Sequence, residues 1–304
     1  MNKNRIYWLG VLGIINAAIF FLNYTDTTQT EKQKFFLQKW IVSPNLPDTL
    51  EFCGEKILLS DYELKERYDK ELIQAIYQHS TTLLLIKQSK RWKQIILPIL
   101  KSQEIPDDFF YLMVTESHFR LQATSNKGAQ GLWQFMKETA DYYRLEVNSY
   151  VDERNDPIQS TYAACKFLND AYKKLKNWKL VAAAYNRGLN GLLQDMNAQK
   201  VDNFEDIYLN PETSRYLFRI LALKYIIENP ENYGFKLYNT DYYDTIPYKT
   251  LTIQQTIPDL VAFAKSNGTT YKHIKTLNPW LVSNSLHVVN GKTYYIKVPI
   301  NENK

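Results

Sequence analysis

The sequence contains few of the residues that build metal centres and disulfide frameworks. Of its 304 residues only 2 are cysteine and 4 are histidine. Cys53 and Cys165 lie far apart, without the CxxC spacing of metal or redox motifs, so a disulfide-rich scaffold is excluded and no metal site is predicted. Cys165 lies in an apolar helical stretch, which favours a buried thiol, and a Cys53–Cys165 disulfide stays open as an alternative.

The chain also lacks a strong excess of charge of either sign. It has 37 Lys and Arg against 32 Asp and Glu, and no dense basic run stands out. Nucleic-acid binding is therefore not indicated. Hydrophobic residues make up 45% of the chain and tyrosine occurs 23 times, which predicts a folded core in which most of the aromatic rings pack.

One long apolar run is present, at residues 6–22 near the N-terminus. Lys3 and Arg5 precede it, and neither a small-x-small cleavage site nor a cysteine follows it. Its length is at the lower limit for a membrane-spanning helix. Residues 1–24 are therefore predicted to be an uncleaved signal anchor, with a cleaved signal peptide as the alternative. In both cases the rest of the chain is exported, with the basic end left in the cytoplasm.

Three further regions are predicted from the pattern of apolar and turn residues. Residues 25–59 are predicted to be a linker and extended approach. Residues 60–235 have mainly helical periodicity. Residues 245–304 have the pattern strand, helix, helix, strand of a small separate α+β module. The fold prediction is therefore mainly α, with one helical domain and a small α+β module at the C-terminal end.

Glu116 is the most unusual residue of the helical region. Pro106 and two aspartates start a helix in which Phe109, Leu112 and Glu116 share one face. A carboxylate on an apolar face is costly unless it is paired or protonated. Two interpretations stay open at this point: an ion pair with a nearby arginine such as Arg120, or an acid with a raised pKa at the floor of a cleft.

Four short motifs follow one another in the helical region. They are Glu116-Ser117, Gly131-Leu132-Trp133-Gln134, Ala184-Tyr185-Asn186 and Glu212-Thr213-Ser214-Arg215-Tyr216. In this order the motifs resemble those of family 1 lytic transglycosylases, the SLT domain family, with residues 100–230 as the motif core. The resemblance implies a lysozyme-like domain that binds peptidoglycan glycan strands in a groove and needs no metal or organic cofactor.

The resemblance also implies the reaction. A lytic transglycosylase cleaves the β-1,4 bond between N-acetylmuramic acid and N-acetylglucosamine and leaves 1,6-anhydro ends. Glu116 would protonate the leaving oxygen and then, as a carboxylate, accept the proton of the muramyl C6 hydroxyl as that hydroxyl attacks C1. Because the nucleophile is part of the substrate, no second catalytic carboxylate is expected, although Glu138, Asp141, Asp152 and Asp156 lie along the same stretch.

The other motif positions take their expected roles from the same resemblance. Ser117 and Tyr216 are expected to lie near Glu116 and orient it. Gln134 is expected to hydrogen-bond the substrate or the surroundings of the acid. Tyr185 and Asn186 are expected to line the groove, and the amide of Asn186 suits N-acetyl groups. The alternatives are core packing for the two tyrosines and a local helix-start hydrogen bond for the glutamine.

Two neighbouring residues have plainer expectations. Trp133 is interpreted as a wall or core residue, and Arg154 as a salt-bridge residue.

The C-terminal module is similar to LysM peptidoglycan-binding modules, in Leu277-Asn278-Pro279 and in the closing segment 294–299. It departs from their pattern at the first turn, where Gln255-Thr256-Ile257-Pro258 replaces the usual Gly-Asp-Thr type of turn. Sugar binding and a purely structural role therefore both stay open for this module.

Two other functions stay open for the whole chain. A hydrolytic muramidase of the goose-lysozyme type would share the fold and the glutamate but release reducing ends. A non-catalytic peptidoglycan-binding scaffold would keep the groove without the chemistry. The expected partner is peptidoglycan in every case, and the expected location is the periplasmic face of the inner membrane. Membrane contact would be made only by the N-terminal segment, with residues 6–22 as the anchor if it is uncleaved.

Overall fold

The computed structural model describes residues 42–289 and 291–300. The predicted signal anchor at residues 6–22 lies outside these ranges. Within them, no helix combines the length and the apolar character needed to cross a bilayer.

Eight α-helices account for most of the described chain before residue 230, and the predicted mainly α fold is confirmed. In chain order they are α1 (Tyr62–Tyr77), α2 (His79–Ser102), α3 (Phe109–Ser117), α4 (Lys137–Tyr142), α5 (Pro157–Leu175), α6 (Trp178–Arg187), α7 (Leu189–Gln199) and α8 (Pro211–Glu228).

Helices α5 and α8 each begin at a side-chain cap. Asp156 accepts hydrogen bonds from the backbone N–H groups of Ile158 and Gln159, at 2.7 and 3.0 Å. Asn210 caps α8 in the same way. In both helices a proline occupies the first turn. The N–H group that proline lacks would have no partner within the helix at this position, so no helical hydrogen bond is lost. These caps determine where each helix starts and therefore which side chains face the core.

Helix α8 lies at the centre of the helical domain. It contacts α1, α3 and α6, and its buried residues run from Thr213 to Ile227. Because α8 is covered on several sides, side chains on its different faces reach different neighbouring helices. This arrangement connects the α1 and α3 sides of the domain through a single helix.

A β-hairpin precedes the helices, inside the range 25–59 that the sequence analysis assigned to a linker and extended approach. Its strands are β1 (Thr49–Phe52) and β2 (Glu55–Leu58), paired antiparallel. Leu50, Phe52 and Ile57 are fully buried in the main core, and the Phe52 ring packs edge-on against Phe109 at 5.4 Å. The sequence analysis did not anticipate this hairpin, because four-residue strands are too short to show a clear alternating pattern. The range 25–59 itself stays a prediction.

Both cysteines are free thiols in the structure. Cys53 lies in the hairpin turn and Cys165 is buried in α5. The open alternative of a Cys53–Cys165 disulfide is therefore not realised, and the prediction of a buried Cys165 thiol is confirmed.

The C-terminal module has the predicted order of elements, β3 (Tyr248–Ile253), α9 (Leu260–Ser266), α10 (Tyr271–Leu277) and β4 (Tyr294–Pro299). The two strands pair antiparallel over their full length, with Tyr248 opposite Pro299. A second hydrophobic cluster, distinct from the main core, fills the space between the sheet and the helices. The module is therefore stabilised by apolar burial of its own.

The module is joined to the helical domain through the loop before α5. Val151 belongs to the core of the module and forms a β-bridge with Leu281. On either side of this bridge, the Asp152 N–H donates to the Trp280 carbonyl at 2.8 Å and the Val282 N–H donates to the Tyr150 carbonyl at 3.0 Å. Residues from Pro44 onward accordingly belong to one compact unit, and the predicted domain limits 60–235 and 245–304 stay predictions.

Side chains reinforce this junction. The carboxylate of Glu146 accepts hydrogen bonds from the Tyr294 hydroxyl at 3.0 Å and from the Lys292 ammonium group. The Gln122 side chain also donates to the Pro279 carbonyl at 3.3 Å. Backbone and side chains together hold the module in one orientation on the helical domain.

Candidate active site

Glu116 lies in the last turn of α3, a short helix with an almost entirely buried surface. Eight of its nine residues are buried, namely Phe109, Phe110, Tyr111, Leu112, Met113, Val114, Thr115 and Ser117. Glu116 is the exception and is half-buried. The helix ends directly afterwards, because His118 adopts a left-handed conformation with φ 50°. The carboxyl group is therefore surrounded by apolar structure but open on one side.

The hydroxyl of Tyr216 donates a hydrogen bond to Oε1 of Glu116. Tyr216 is itself buried, on α8. Burial, and next to it the neighbouring carboxyl group of Glu116, raises the pKa of Tyr216 well above its usual value. The phenol therefore remains a neutral donor at any physiological pH.

Burial raises the pKa of Glu116 from 4.5 to about 7. The hydrogen bond from Tyr216 and the charge of Arg219 act in the opposite direction, and the charge of Glu212 adds to the increase. Desolvation prevails because the charged form of the carboxyl group loses more hydration than one phenol can replace. A carboxyl group with such a pKa is present in both protonation states near neutral pH, as a general acid and base must be.

Arg120 does not provide the ion pair that the sequence left open for Glu116. Its Nε instead donates to the Ser117 carbonyl at 3.2 Å. Ser117 is buried, and its hydroxyl donates back along α3 to the Met113 carbonyl at 3.2 Å. Ser117 is thus next to Glu116 in the chain but is engaged in a hydrogen bond within its own helix.

Asn186 and Glu212 form a polar group at the start of α8. The Asn186 amide donates to Glu212 at 3.3 Å, and its oxygen accepts from the Thr213 hydroxyl at 2.7 Å. Glu212 is exposed and close enough for its charge to raise the pKa of Glu116. A second carboxylate therefore lies near the first, and the sequence analysis missed it although Glu212 opens the fourth motif.

Tyr185 and Gln134 both make hydrogen bonds to the backbone of the chain itself. The Tyr185 hydroxyl donates to the Trp133 carbonyl at 2.7 Å. The Gln134 amide donates to the carbonyls of Ala123 and Gly131, at 2.9 and 2.8 Å. Both side chains therefore stabilise the loop that precedes α4, while the Tyr185 ring remains half-buried and packs against Phe167.

Arg154 joins this loop to the junction with the C-terminal module. Its guanidinium group pairs with Asp152 through two hydrogen bonds, at 2.9 and 2.7 Å. Its remaining N–H groups donate to the Gly128 and Phe135 carbonyls, at 3.1 and 3.3 Å.

At Gly131, with φ +84°, an added Cβ would lie 1.8 Å from the Arg154 carbonyl oxygen. Only glycine fits this contact.

The other carboxylates named from the sequence have structural or peripheral positions. Asp152 pairs with Arg154 and Asp156 caps α5. Glu138 lines a surface cavity of about 700 Å³ together with Tyr143, Phe167 and Gly188. The Phe167 ring packs edge-on against Tyr185 at 5.1 Å, so this cavity adjoins the Tyr185 side of the site.

A second cavity, of about 280 Å³, lies next to the α3 segment that carries Glu116. Thr115, which precedes Glu116 on α3, and His118, which follows the end of α3, line this cavity with Arg219 of α8. Sequence reasoning missed Arg219, which follows Tyr216 by three positions and so shares its helix face. Among the described residues, no group of three or more His, Cys, Asp or Glu side chains could hold a metal ion.

Comparison with known families gives the class of protein. Residues 96–208 match the transglycosylase SLT domain, and residues 249–302 match the soluble lytic transglycosylase C-terminal LysM-like domain. The resemblance derived from the sequence is therefore confirmed. The chain carries an SLT domain with Glu116 inside the matched range, followed by a LysM-like domain.

Among curated proteins the chain is similar to membrane-bound lytic murein transglycosylase D of Escherichia coli, in strain K12 and in an O6:H1 strain. The identity is 29% over 227 residues, which is 70% of this chain and 49% of the relative in each case. The chain thus spans about half the length of the curated relatives it matches.

Among solved structures, an inactive mutant of lytic transglycosylase Slt from Pseudomonas aeruginosa matches 49% of this chain and 26% of its own. The identity is 21% and the TM-score 0.35.

Proposed function

We propose that this protein is a lytic transglycosylase that cleaves the glycan strands of peptidoglycan. The observation that carries the proposal is Glu116, a half-buried carboxyl group with a pKa of about 7 that accepts a hydrogen bond from Tyr216 inside an SLT domain. An acid of this strength can donate and then accept one proton near neutral pH without changing its partners.

The reaction needs two proton transfers through one carboxyl group. Protonated Glu116 gives its proton to the glycosidic oxygen as the bond from that oxygen to C1 of N-acetylmuramic acid breaks. The resulting carboxylate then accepts the proton of the muramyl C6 hydroxyl while the oxygen of that hydroxyl forms a bond to C1. The products are a 1,6-anhydro end and a free hydroxyl on the leaving sugar, and Glu116 is protonated again.

Tyr216 and burial contribute to different halves of this cycle. Burial favours the protonated form of Glu116 and so prepares the first transfer. The hydrogen bond from Tyr216 favours the charged form and so stabilises the carboxylate that the first transfer creates. Because the C6 hydroxyl belongs to the substrate, its high effective concentration replaces an external nucleophile.

We propose that the groove passes Glu116 with one cavity on each side. The half-buried Tyr185 ring beside Phe167 is suited to packing against a sugar face. Asn186 is held by Thr213 and Glu212, which fixes its amide for contact with an N-acetyl group. Ser117 and Gln134 are proposed as supporting residues, because their recorded hydrogen bonds go to backbone carbonyls.

Hydrolysis is the second candidate, and Glu212 is the observation that favours it. Its exposed carboxylate is near enough to perturb Glu116, so it could activate a water molecule as the second carboxylate of an inverting hydrolase does. In a transglycosylase, Glu212 would only position Asn186 and raise the pKa of Glu116.

Product analysis separates these two reactions. Purified peptidoglycan is treated with the full-length protein and with the Glu116→Gln and Glu212→Gln variants, and the released muropeptides are identified by mass spectrometry. Anhydro-muramyl products that disappear in Glu116→Gln and persist in Glu212→Gln support the transglycosylase. Reducing ends that disappear in both variants identify a hydrolase. Binding of peptidoglycan without cleavage by the unmodified protein indicates a scaffold.

We also propose that the protein acts on the periplasmic face of the inner membrane. The support is the apolar run at residues 6–22 and the word membrane-bound in the name of the E. coli relatives. Fractionation of cells that express the full chain tests this. The protein is expected in the membrane fraction, and a truncation that starts after residue 24 should move it to the soluble fraction.

A further inference from the structure

The cavity between α1, α2, α3 and α8 adjoins Glu116 but is outside the four motifs. It has a volume of about 280 Å³. Its lining is mostly polar and consists of Glu71, Gln74, Ala75, Gln78, Thr81, Thr82, Leu85, Thr115, His118, Arg219 and Leu223. Apart from Thr115 and His118, these residues fall outside the range 96–208 that matches the SLT domain.

Arg219 presents unused hydrogen-bond donors to this cavity. Within the described part of the chain, its recorded polar partner is Glu71, which lies 3.5 Å from its Nε. The two terminal amino groups of the guanidinium therefore have no protein acceptor there. A guanidinium group is a planar fork that binds carboxylates through two parallel hydrogen bonds.

Glu71 holds Arg219 in place without neutralising the cluster. Its side chain is 3% exposed and pairs with both Arg215 and Arg219. Arg215 also donates to Gln74 at 3.1 Å. Its Nε and one of its terminal nitrogens therefore both have acceptors within the protein. Two guanidinium groups face one carboxylate, which leaves an excess of one positive charge beside the cavity. An anionic ligand is favoured in such a site.

The position of Arg219 connects the cavity to the chemistry. Arg219 follows Tyr216 by one helical turn on α8, and Tyr216 donates to Glu116. The charge of Arg219 also reaches Glu116. A ligand group bound by Arg219 would therefore belong to a sugar residue at or next to the cleaved bond.

We propose that Arg219 binds a carboxylate carried by the muramyl residue of the substrate, an inference that rests on the proposed function. The carboxylate can come from either of two sources. In a peptide-bearing strand it belongs to the stem peptide. In a strand stripped of peptide it belongs to the lactyl group. The cavity thereby distinguishes muramyl residues from N-acetylglucosamine, which has no carboxylate.

Binding measurements test this without the need for turnover. The Glu116→Gln protein is titrated with N-acetylmuramic acid, with N-acetylmuramyl-L-alanyl-D-glutamate and with neutral chitohexaose, with and without Arg219→Gln. Loss of a charge-assisted hydrogen bond pair is expected to weaken the carboxylate ligands about 10- to 100-fold. The affinity for chitohexaose should not change. If Arg219→Gln weakens binding of N-acetylmuramic acid, the lactyl group supplies the carboxylate. If it weakens only binding of N-acetylmuramyl-L-alanyl-D-glutamate, the peptide supplies it.

Arg215→Gln is the matched control, because Arg215 shares Glu71 with Arg219 but is not among the residues that line the cavity. It should lower the melting temperature at least as much as Arg219→Gln and leave carboxylate binding intact. The inference is overturned if both variants weaken all ligands equally, if neither weakens any, or if the unmodified site binds no carboxylate ligand. A protein that binds the carboxylates through Arg219 but never cleaves peptidoglycan would contradict only the proposed function.

Discussion

Glu71 and Glu116 are two buried or half-buried glutamates that face the same helix and have opposite surroundings. Glu71, on α1, pairs with the guanidinium groups of Arg215 and Arg219. Glu116, on α3, accepts a hydrogen bond from the neutral phenol of Tyr216. All three partners lie within five residues on α8, so one helix presents charge to one glutamate and a neutral donor to the other.

The difference teaches how the surroundings of a buried carboxylate decide whether it can exchange a proton near neutral pH. Two nearby cations compensate a negative charge, so Glu71 serves as an anchor between α1 and α8. A phenol compensates it only in part, so burial raises the pKa of Glu116 to about 7. Exchange of the proton at Glu116 is therefore within reach of neutral pH, and the same residue type has a different use 45 positions away in the chain.

The largest effect is expected when the proposed catalytic carboxyl group is replaced by an amide. Glu116→Gln keeps the size of the side chain and should reduce the rate of glycan cleavage at least about 1,000-fold, because an amide is neither acid nor base. Release of muropeptides from peptidoglycan measures the rate. The melting temperature should stay the same or rise, and a variant that cleaves at one tenth of the normal rate would refute the assignment.

A smaller but clear effect is expected at the anchor. Glu71→Gln leaves Arg215 and Arg219 without their shared carboxylate and should lower the free energy of unfolding by about 2–3 kcal/mol, less than for fully buried pairs because both arginines are partly exposed. Urea denaturation measures it. Glu63→Gln, which breaks the exposed pair with Arg67 on the same helix, is the control and should change stability by less than about 1 kcal/mol.

The pH dependence of stability gives a separate measurement on Glu116. Glu116 has a higher pKa in the folded than in the unfolded protein, so the folded state binds more protons between pH 4.5 and 7. Its contribution is therefore fully present below about pH 4.5 and is lost as the pH rises through about 7, with a total of about 3 kcal/mol. Comparison of unfolding free energies of the unmodified protein and Glu116→Gln across this range isolates the contribution. Parallel curves would contradict it.

The smallest effect is expected from the phenol. Tyr216→Phe removes the hydrogen bond that lowers the pKa of Glu116, so that pKa should rise and the alkaline limb of the pH–rate profile should move upward by about one unit. The maximum rate should fall about 10-fold, since the carboxylate intermediate loses its donor. Tyr185→Phe, which loses a bond to the Trp133 carbonyl, should lower stability but leave the alkaline limb in place.

Several features of the fold and site could be predicted from local sequence. The helix starts at Asp156 and Asn210 are local, because the capping side chain and the backbone groups it bonds are two or three residues apart. Glu116 stood out because a carboxylate interrupts an apolar face. The strand–helix–helix–strand order of the C-terminal module followed from its turns and periodicity in the same way.

Other features could not be predicted, either because several local partners compete for one side chain or because the contact joins distant parts of the chain. Gln134 makes its bonds to Ala123 and Gly131, and Ser117 to Met113, and neither motif shows which of several polar partners its side chain takes. The hairpin at residues 49–58 was missed because Leu50 and Phe52 are buried by helices far along the chain. The attachment of the LysM-like module through Val151 had no sequence signal at all.

The sequence by itself determined where the helices begin, that Glu116 lies on an apolar face, and that the chain has the motifs of a lytic transglycosylase. These properties depend on residues close together in the chain. Only the tertiary structure decided that Tyr216 donates a hydrogen bond to Glu116 while Arg215 and Arg219 form ion pairs with Glu71. The physical reason is that a pKa depends on desolvation and on charges brought together by packing, and α8 reaches α3 more than 90 residues away only in the folded protein.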